Sequence, residues 1–239
     1  MFVAAGLMGG VAAYFGFQQW PDRLASPPAP STLKPPKPPV NLETLKSQAE
    51  SGDPAAQTTL GWIYEKGTVV RPDPTAAAKW FQKAADQNNP DGLAALGELT
   101  QAGVGVPLNL TEAARLYRLA AEQGSVAGQY DLAYLYEQGS GVIRSEADAA
   151  KWYQLAAEGG DPLAQFDIGQ RYLLGVGVPT NRVQAFKWLK LAAIQGQTDA
   201  GSLLQKLKSQ MTSEESVHAN QFVTEFIPRA ANPTARKSN

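Results

Sequence analysis

Between Asp53 and Gly196 the apolar and polar positions follow one pattern that returns every 36 residues without insertion or deletion. Leu60-Gly61, Leu96-Gly97, Leu132-Ala133 and Ile168-Gly169 form one column, and Val70, Val106, Val142 and Val178 a second. A third holds Ala84-Ala85, Ala120-Ala121, Ala156-Ala157 and Ala192-Ala193, and a fourth Gly67, Gly103, Gly139 and Gly175. A fixed period of this length marks a solenoid, in which each unit is too small to enclose a core and buries its apolar face on its neighbours. The pattern predicts an all-α array of four repeats, 53–88, 89–124, 125–160 and 161–196, each a pair of helices A and B.

Both helix starts carry capping residues. Asp53, Asn89, Ser125 and Asp161 precede helix A, with Pro54, Pro90 and Pro162 at its first position, where a missing N–H costs nothing. Asp73, Asn109, Ser145 and Asn181 precede helix B. The glycine column closes helix A by adopting the left-handed conformation, and Gly105, Gly141 and Gly177 support the same turn, with Val69 in their place in the first repeat. Small residues at 61, 97, 133 and 169 let helix A lie close to its partner. Tyr64, Tyr136, Tyr172 and the column of Trp80, Trp152 and Trp188 are expected to fill the core between hairpins. The second repeat has Thr100 and Leu116 where the others carry tyrosine and tryptophan, which predicts a less filled hairpin.

The flanks read as caps, which a solenoid needs at its open ends. Residues 41–52 align with a lone helix B. In the segment 197–239, Thr198 to Lys208 continues the helix A register, and Thr212-Ser213-Glu214-Glu215 is a capping box opening a last helix to about Phe226. Pro228 to Asn239 has the polar character of a loose tail.

The N-terminus departs from this pattern. Residues 1–20 contain no charged side chain, and Phe2 to Phe17 is a nearly unbroken apolar run closed by Trp20, which predicts a single transmembrane anchor. A cleaved signal peptide is the competing reading, but the basic n-region and a small-x-small cleavage site are both missing. Gly6 and Gly10 lie four apart and give the anchor a face on which another membrane helix can pack closely. Residues 21–40 form a proline-rich linker, of which 26–40 read as an extended spacer reaching on the order of 40 Å at ~3.1 Å per residue. Arg23, Lys34 and Lys37 follow the anchor and by themselves point to a cytoplasmic C-terminal side, but they carry less weight than the architecture; a start upstream of Met1 would loosen the orientation further.

Composition narrows the chemistry. A net charge of −1, with acids and bases interspersed, gives no field that would gather nucleic acid. Cysteine is absent, which removes disulfides, thiolate nucleophiles and the usual zinc sites, and no metal or other cofactor is expected. His218 is the only histidine and stands in the last capping helix with no nucleophile motif beside it. No catalytic residue is assigned and no enzymatic activity is expected.

The string Leu-Ala-x-x-Tyr-x-x-Gly, then Gly-Val, then Ala-x-x-Trp-Tyr-x-x-Ala-Ala-x-x-Gly at residues 132–160 resembles the Sel-like repeat, a branch of the tetratricopeptide superfamily. Four copies in register carry the resemblance over Asp53 to Gly196. It implies a right-handed superhelix of antiparallel α-hairpins that acts as an adaptor, in bacteria often at the cell envelope. In such solenoids the A helices line the concave groove. Their non-core columns here are Thr58, Ala94, Tyr130 and Phe166, and Trp62, Glu98, Tyr134 and Gln170, with Asp131 and Asp167 alongside. Trp62, Tyr130, Asp131, Tyr134, Phe166 and Asp167 are therefore the expected partner-binding residues, suited to a peptide with apolar anchors and some basic character; packing between A helices is the alternative. The expected function is a protein-binding scaffold held in the bacterial inner membrane with its solenoid in the periplasm. The alternative is an accessory subunit of a membrane complex, docked through the Gly6 and Gly10 face as well as the solenoid.

Overall fold

The computed structural model describes residues 41–228, which form eleven helices and, among them, no strand. The repeats are four pairs of helices, each 13 residues long. They are α2 (Pro54–Lys66) with α3 (Pro74–Asp86), α4 (Pro90–Ala102) with α5 (Leu110–Glu122), α6 (Val126–Gln138) with α7 (Glu146–Glu158), and α8 (Pro162–Leu174) with α9 (Arg182–Ile194). α1 (Leu42–Glu50) precedes them, and α10 (Thr198–Lys208) and α11 (Ser213–Thr224) follow. Each repeat helix packs on its sequence neighbours, α2 also touches α4, α4 touches α6, and α11 returns to α9. Among the described residues no helix is long and apolar enough to cross a membrane. The expected anchor at 1–20, with Gly6 and Gly10, and the spacer at 21–40 lie outside the described residues.

Every repeat helix begins on a side-chain cap. Asp53, Asp73, Asn89, Asn109, Ser125, Ser145, Asp161 and Asn181 each accept a hydrogen bond from a backbone N–H two or three residues on. One such cap contributes ~1 kcal/mol. The A helices end at Gly67, Gly103, Gly139 and Gly175 with φ of 65°, 68°, 68° and 74°, where a side chain would be strained. Thr212 and Glu215 form the expected capping box at the head of α11.

The second glycine of the turn touches the preceding repeat. Gly105, Gly141 and Gly177 have φ of 73°, 70° and 73°, and a Cβ there would collide with the carbonyl oxygens of Pro74, Leu110 and Glu146. Those oxygens lie in the first turn of the preceding repeat's helix B. In the first repeat the equivalent of that helix B start, residue 38, lies outside the described residues, and α1 begins at Leu42. Val69 occupies the glycine position there and is 60% exposed.

The core runs between helices A and B of each repeat. Gly61 faces the ring of Phe81, Gly97 that of Tyr117, and Gly169 the side chain of Leu189, so the small column receives the residue after the tryptophan column. Phe81, Tyr117, Tyr153 and Leu189 are all at most 1% exposed. Trp80 and Trp152 are only half-buried, contrary to expectation. Of the three tryptophans only Trp188 is buried, and Phe226, just beyond α11, stacks edge-on against it at 5.5 Å. The second repeat is not loosened, since Leu116 and Thr100 are 2% and 6% exposed and the Thr100 hydroxyl donates to the Leu96 carbonyl. Gln57, Gln129 and Gln165 donate to the carbonyls of Ala49, Ala121 and Ala157 at 3.0, 3.2 and 3.3 Å, tying each of these A helices to the end of the helix before it.

Candidate protein-binding face

One row of equivalent positions is half-buried in every repeat: Trp62 on α2, Glu98 on α4, Tyr134 on α6 and Gln170 on α8. Recurrence at one place on four successive A helices aligns them as a row along the array. Its backing is rigid. Trp62 meets the ring of Phe81 edge-on with centroids 6.4 Å apart, and Tyr134 packs on the cluster of Tyr117, Leu132 and Leu135.

Half of the expected partner-binding residues lie beneath this row. Tyr130, Asp131 and Phe166 are 4%, 3% and 7% exposed, which corrects their placement as surface contacts. Tyr130 stacks edge-on with Tyr153 at 5.4 Å, and its hydroxyl donates to Asp167 Oδ2 at 3.3 Å. Phe166 joins the core with Phe186, Leu189 and Leu207. The cause is geometric: an A helix is enclosed by its own B partner and by the helices of adjoining repeats, leaving little of its circumference open. Trp62, Tyr134 and Asp167 remain half-buried and within reach of a partner.

The layer below the row is acidic. Burial, reinforced by the charges of Glu98 and Asp161, pushes the Asp131 carboxyl well above the usual carboxylate range. Burial also raises Tyr117, with Asp131 and Glu98 adding to the shift, and raises Tyr153, with Asp167 and Glu137 adding. Asp131 Oδ2 is sealed from solvent and has no hydrogen-bond partner. Asp161, 5% exposed, is committed to capping α8 through the Ala164 N–H at 2.7 Å.

Sequence reasoning missed Arg171. Its column is otherwise Ile63, Leu99 and Leu135, and a lone cation in an apolar column was the available signal. The guanidinium, 5% exposed, donates to Glu137 at 2.7 Å and Glu146 at 2.8 Å, while the Tyr153 hydroxyl donates to the other Glu137 oxygen at 2.8 Å. Helices α6, α7 and α8 are thereby clamped together. Burial alone would raise Glu146, but hydrogen bonds from Arg171 and Arg144 outweigh it and hold that carboxyl below its usual value. A shallow hollow of about 300 Å³ lies apart from the row, on α7, bordered by Lys151, Gln154, Glu158 and Val178. Among the described residues no group of acidic or imidazole side chains could hold a metal ion.

Comparison with known proteins follows the repeats. The family described as Sel1 repeat matches four times in tandem, at 54–89, 90–125, 126–161 and 162–197. A Sel1 repeat protein from Oxalobacter formigenes is similar in structure, with 33% identity and a TM-score of 0.64, over 76% of this chain and 74% of that one. A protective antigen present in uropathogenic Escherichia coli strains, displaying an SLR fold, is 28% identical with a TM-score of 0.51, over 78% of this chain and 48% of that one. No curated protein matches. Repeats of this kind generally mediate protein–protein interaction, and the proteins built from them are typically non-catalytic scaffolds. With four tandem matches spanning more than half its length, the chain belongs to the Sel1 repeat family.

Proposed function

We propose that this chain is a membrane-tethered adaptor that holds a protein partner along its A-helix row, in assembly or regulation at the bacterial cell envelope. The observation that carries the reading is the row of Trp62, Glu98, Tyr134 and Gln170, half-buried in all four repeats, with Trp62 set against Phe81 and Tyr134 packed on the cluster of Tyr117. Large, pre-ordered rings next to acids are the kind of surface on which a partner segment can place apolar anchors and basic groups. Trp62→Ala combined with Tyr134→Ala is expected to leave helicity intact at about 25 °C, with a lowered melting temperature from the lost packing, while partner recovery in a detergent-solubilised pull-down falls severalfold. Unchanged recovery would move the interface elsewhere.

The tether rests on the uncharged run of residues 1–20 and the proline-rich linker of 21–40, and the periplasmic side and right-handed superhelical course rest on the family resemblance alone. A reporter fused after Asn239 that is active in the cytoplasm would overturn the periplasmic assignment. The Gly6 and Gly10 face supports the second reading, an accessory subunit of an integral membrane complex. Exchanging residues 1–20 for an unrelated membrane helix distinguishes the two: the adaptor keeps its partner and the accessory subunit loses it.

A further inference from the structure

Asp131 is out of place in the frame that holds it. Its equivalents are Thr59, Ala95 and Asp167, so an alanine serves the same position in the repeat before, and packing does not call for a carboxyl there. The side chain is nonetheless 3% exposed, with Oδ2 enclosed and unpartnered. Native proteins rarely bury such an atom without compensation. Asp167 differs, because it accepts from the Tyr130 hydroxyl.

The surroundings point to the missing partner's sign. Helices α4 and α6 carry Asp91, Glu98, Asp131 and Glu137 and no lysine, arginine or histidine. The nearest cation on an A helix, Arg171, is engaged by Glu137 and Glu146, while Arg115 is held by Glu112 and Arg144 by Glu146. The charges that reach Asp131 from neighbouring elements are those of Glu98 on α4 and Asp161 at the head of α8, both acidic, and Tyr117 on α5 responds to it in turn. Glu98 is half-buried in the row itself, and its charge is the first of those that act on the enclosed Asp131.

We propose that Glu98 and Asp131 together form the seat for one cationic side chain, a lysine or arginine, presented by a peptide lying along the A-helix row. This deepens the adaptor reading and rests on it. Without a partner, and at pH values between the ordinary aspartate value and the raised one, a proton occupies the place of the cation. When the ammonium or guanidinium arrives, the Asp131 carboxylate turns to accept from it and the proton leaves to solvent, so charge is conserved at the buried site. A lysine or arginine would also gain two acceptors of opposite charge away from bulk water, where charge-assisted hydrogen bonds are strongest.

The test uses the full chain in detergent micelles against an array of acetylated, amidated decapeptides. Each has varied Ala, Leu and Phe positions and either Lys, Arg, norleucine or Glu at one central place. The expected result is binding about tenfold tighter for Lys or Arg than for norleucine, with proton release seen by calorimetry in two buffers. That preference should vanish in the Glu98→Gln, Asp131→Asn double variant, and should shrink in Glu98→Gln alone, a change at a half-buried position that leaves the core untouched. Equal binding of Lys and norleucine peptides, or a preference that survives the double variant, overturns the cation seat. If that binding is then lost in the Trp62→Ala, Tyr134→Ala variant, the row reading stands without the seat. Absence of binding by any peptide overturns both.

Discussion

A single buried side chain can make the stability of the array depend on pH. The Asp131 carboxyl keeps its proton in the folded chain at pH values where the unfolded chain has released it, because burial and the charges of Glu98 and Asp161 oppose ionisation. The folded state therefore binds the extra proton, and its stability falls as pH rises from the ordinary aspartate value, ~3.9, up to the raised folded value. Asp131→Asn removes this slope. The variant is expected to gain on the wild type steadily from about pH 4 towards neutrality in urea unfolding, and a constant difference over that range would contradict the burial argument. Arg171 poses the opposite case, a buried charge with partners. Arg171→Leu copies Leu99 and Leu135, but leaves Glu137 half-buried beside Tyr153 without its cation, and should cost about 2–3 kcal/mol. Adding Glu137→Gln reproduces the second repeat, where the Tyr117 hydroxyl donates to Gln101, and is expected to restore stability to within about 1 kcal/mol in a double-mutant cycle.

At the scale of the helix and its turns, most of the structure was legible in the chain. The period located both helices of each repeat, and the eight caps named from it all accept the expected hydrogen bonds. What the period could not reveal was depth. Alignment of columns shows that Tyr130 and Phe166 are equivalent, but not whether their shared position is covered by the next repeat, since that depends on how adjoining hairpins nest. The same limit misjudged the tryptophan column, where Phe226 stacks on Trp188 from outside the repeat. The buried Gln57, Gln129 and Gln165 were overlooked because a polar residue at a repeating site resembles surface until its carbonyl partner is seen. The turns offer a clean test of local geometry. Gly124→Ala introduces a Cβ at φ of 88° into open space, and should cost ~1 kcal/mol from backbone strain alone. Gly141→Ala combines φ of 70° with a collision against the Leu110 carbonyl, and should cost about 2–4 kcal/mol by chemical denaturation. Equal losses at the two sites would mean that the turn does not press on the preceding repeat.

Over the whole molecule, stability is a sum of repeats and of the contacts between neighbours, so damage at one end need not be felt at the other. Phe226 covers Trp188, and Lys187 lies over both rings at 5.4 and 4.1 Å. Phe226→Ala is expected to raise amide hydrogen exchange in α9 and α11 by about an order of magnitude or more while leaving α2 and α3 unchanged. Uniform acceleration along the chain would show that the array opens as one unit instead.

The glycine of the second turn position gives the array a direction. A repeat bearing it can follow any other, because its turn accommodates the helix B carbonyl that comes before. The first repeat, with Val69 there, can only lead. Insertion of a duplicate of residues 125–160 directly after Gly160 would therefore lengthen the solenoid without a collision at the turn of either junction, although Leu135 of the copy would stand where Arg171 now meets Glu137, whereas a duplicate of 53–88 placed in the interior would set a branched side chain against its neighbour's backbone. Growth by copying is thus open to three of the four repeats and closed to the one at the head, so the length of the binding strip could change over evolutionary time while its starting point stayed fixed.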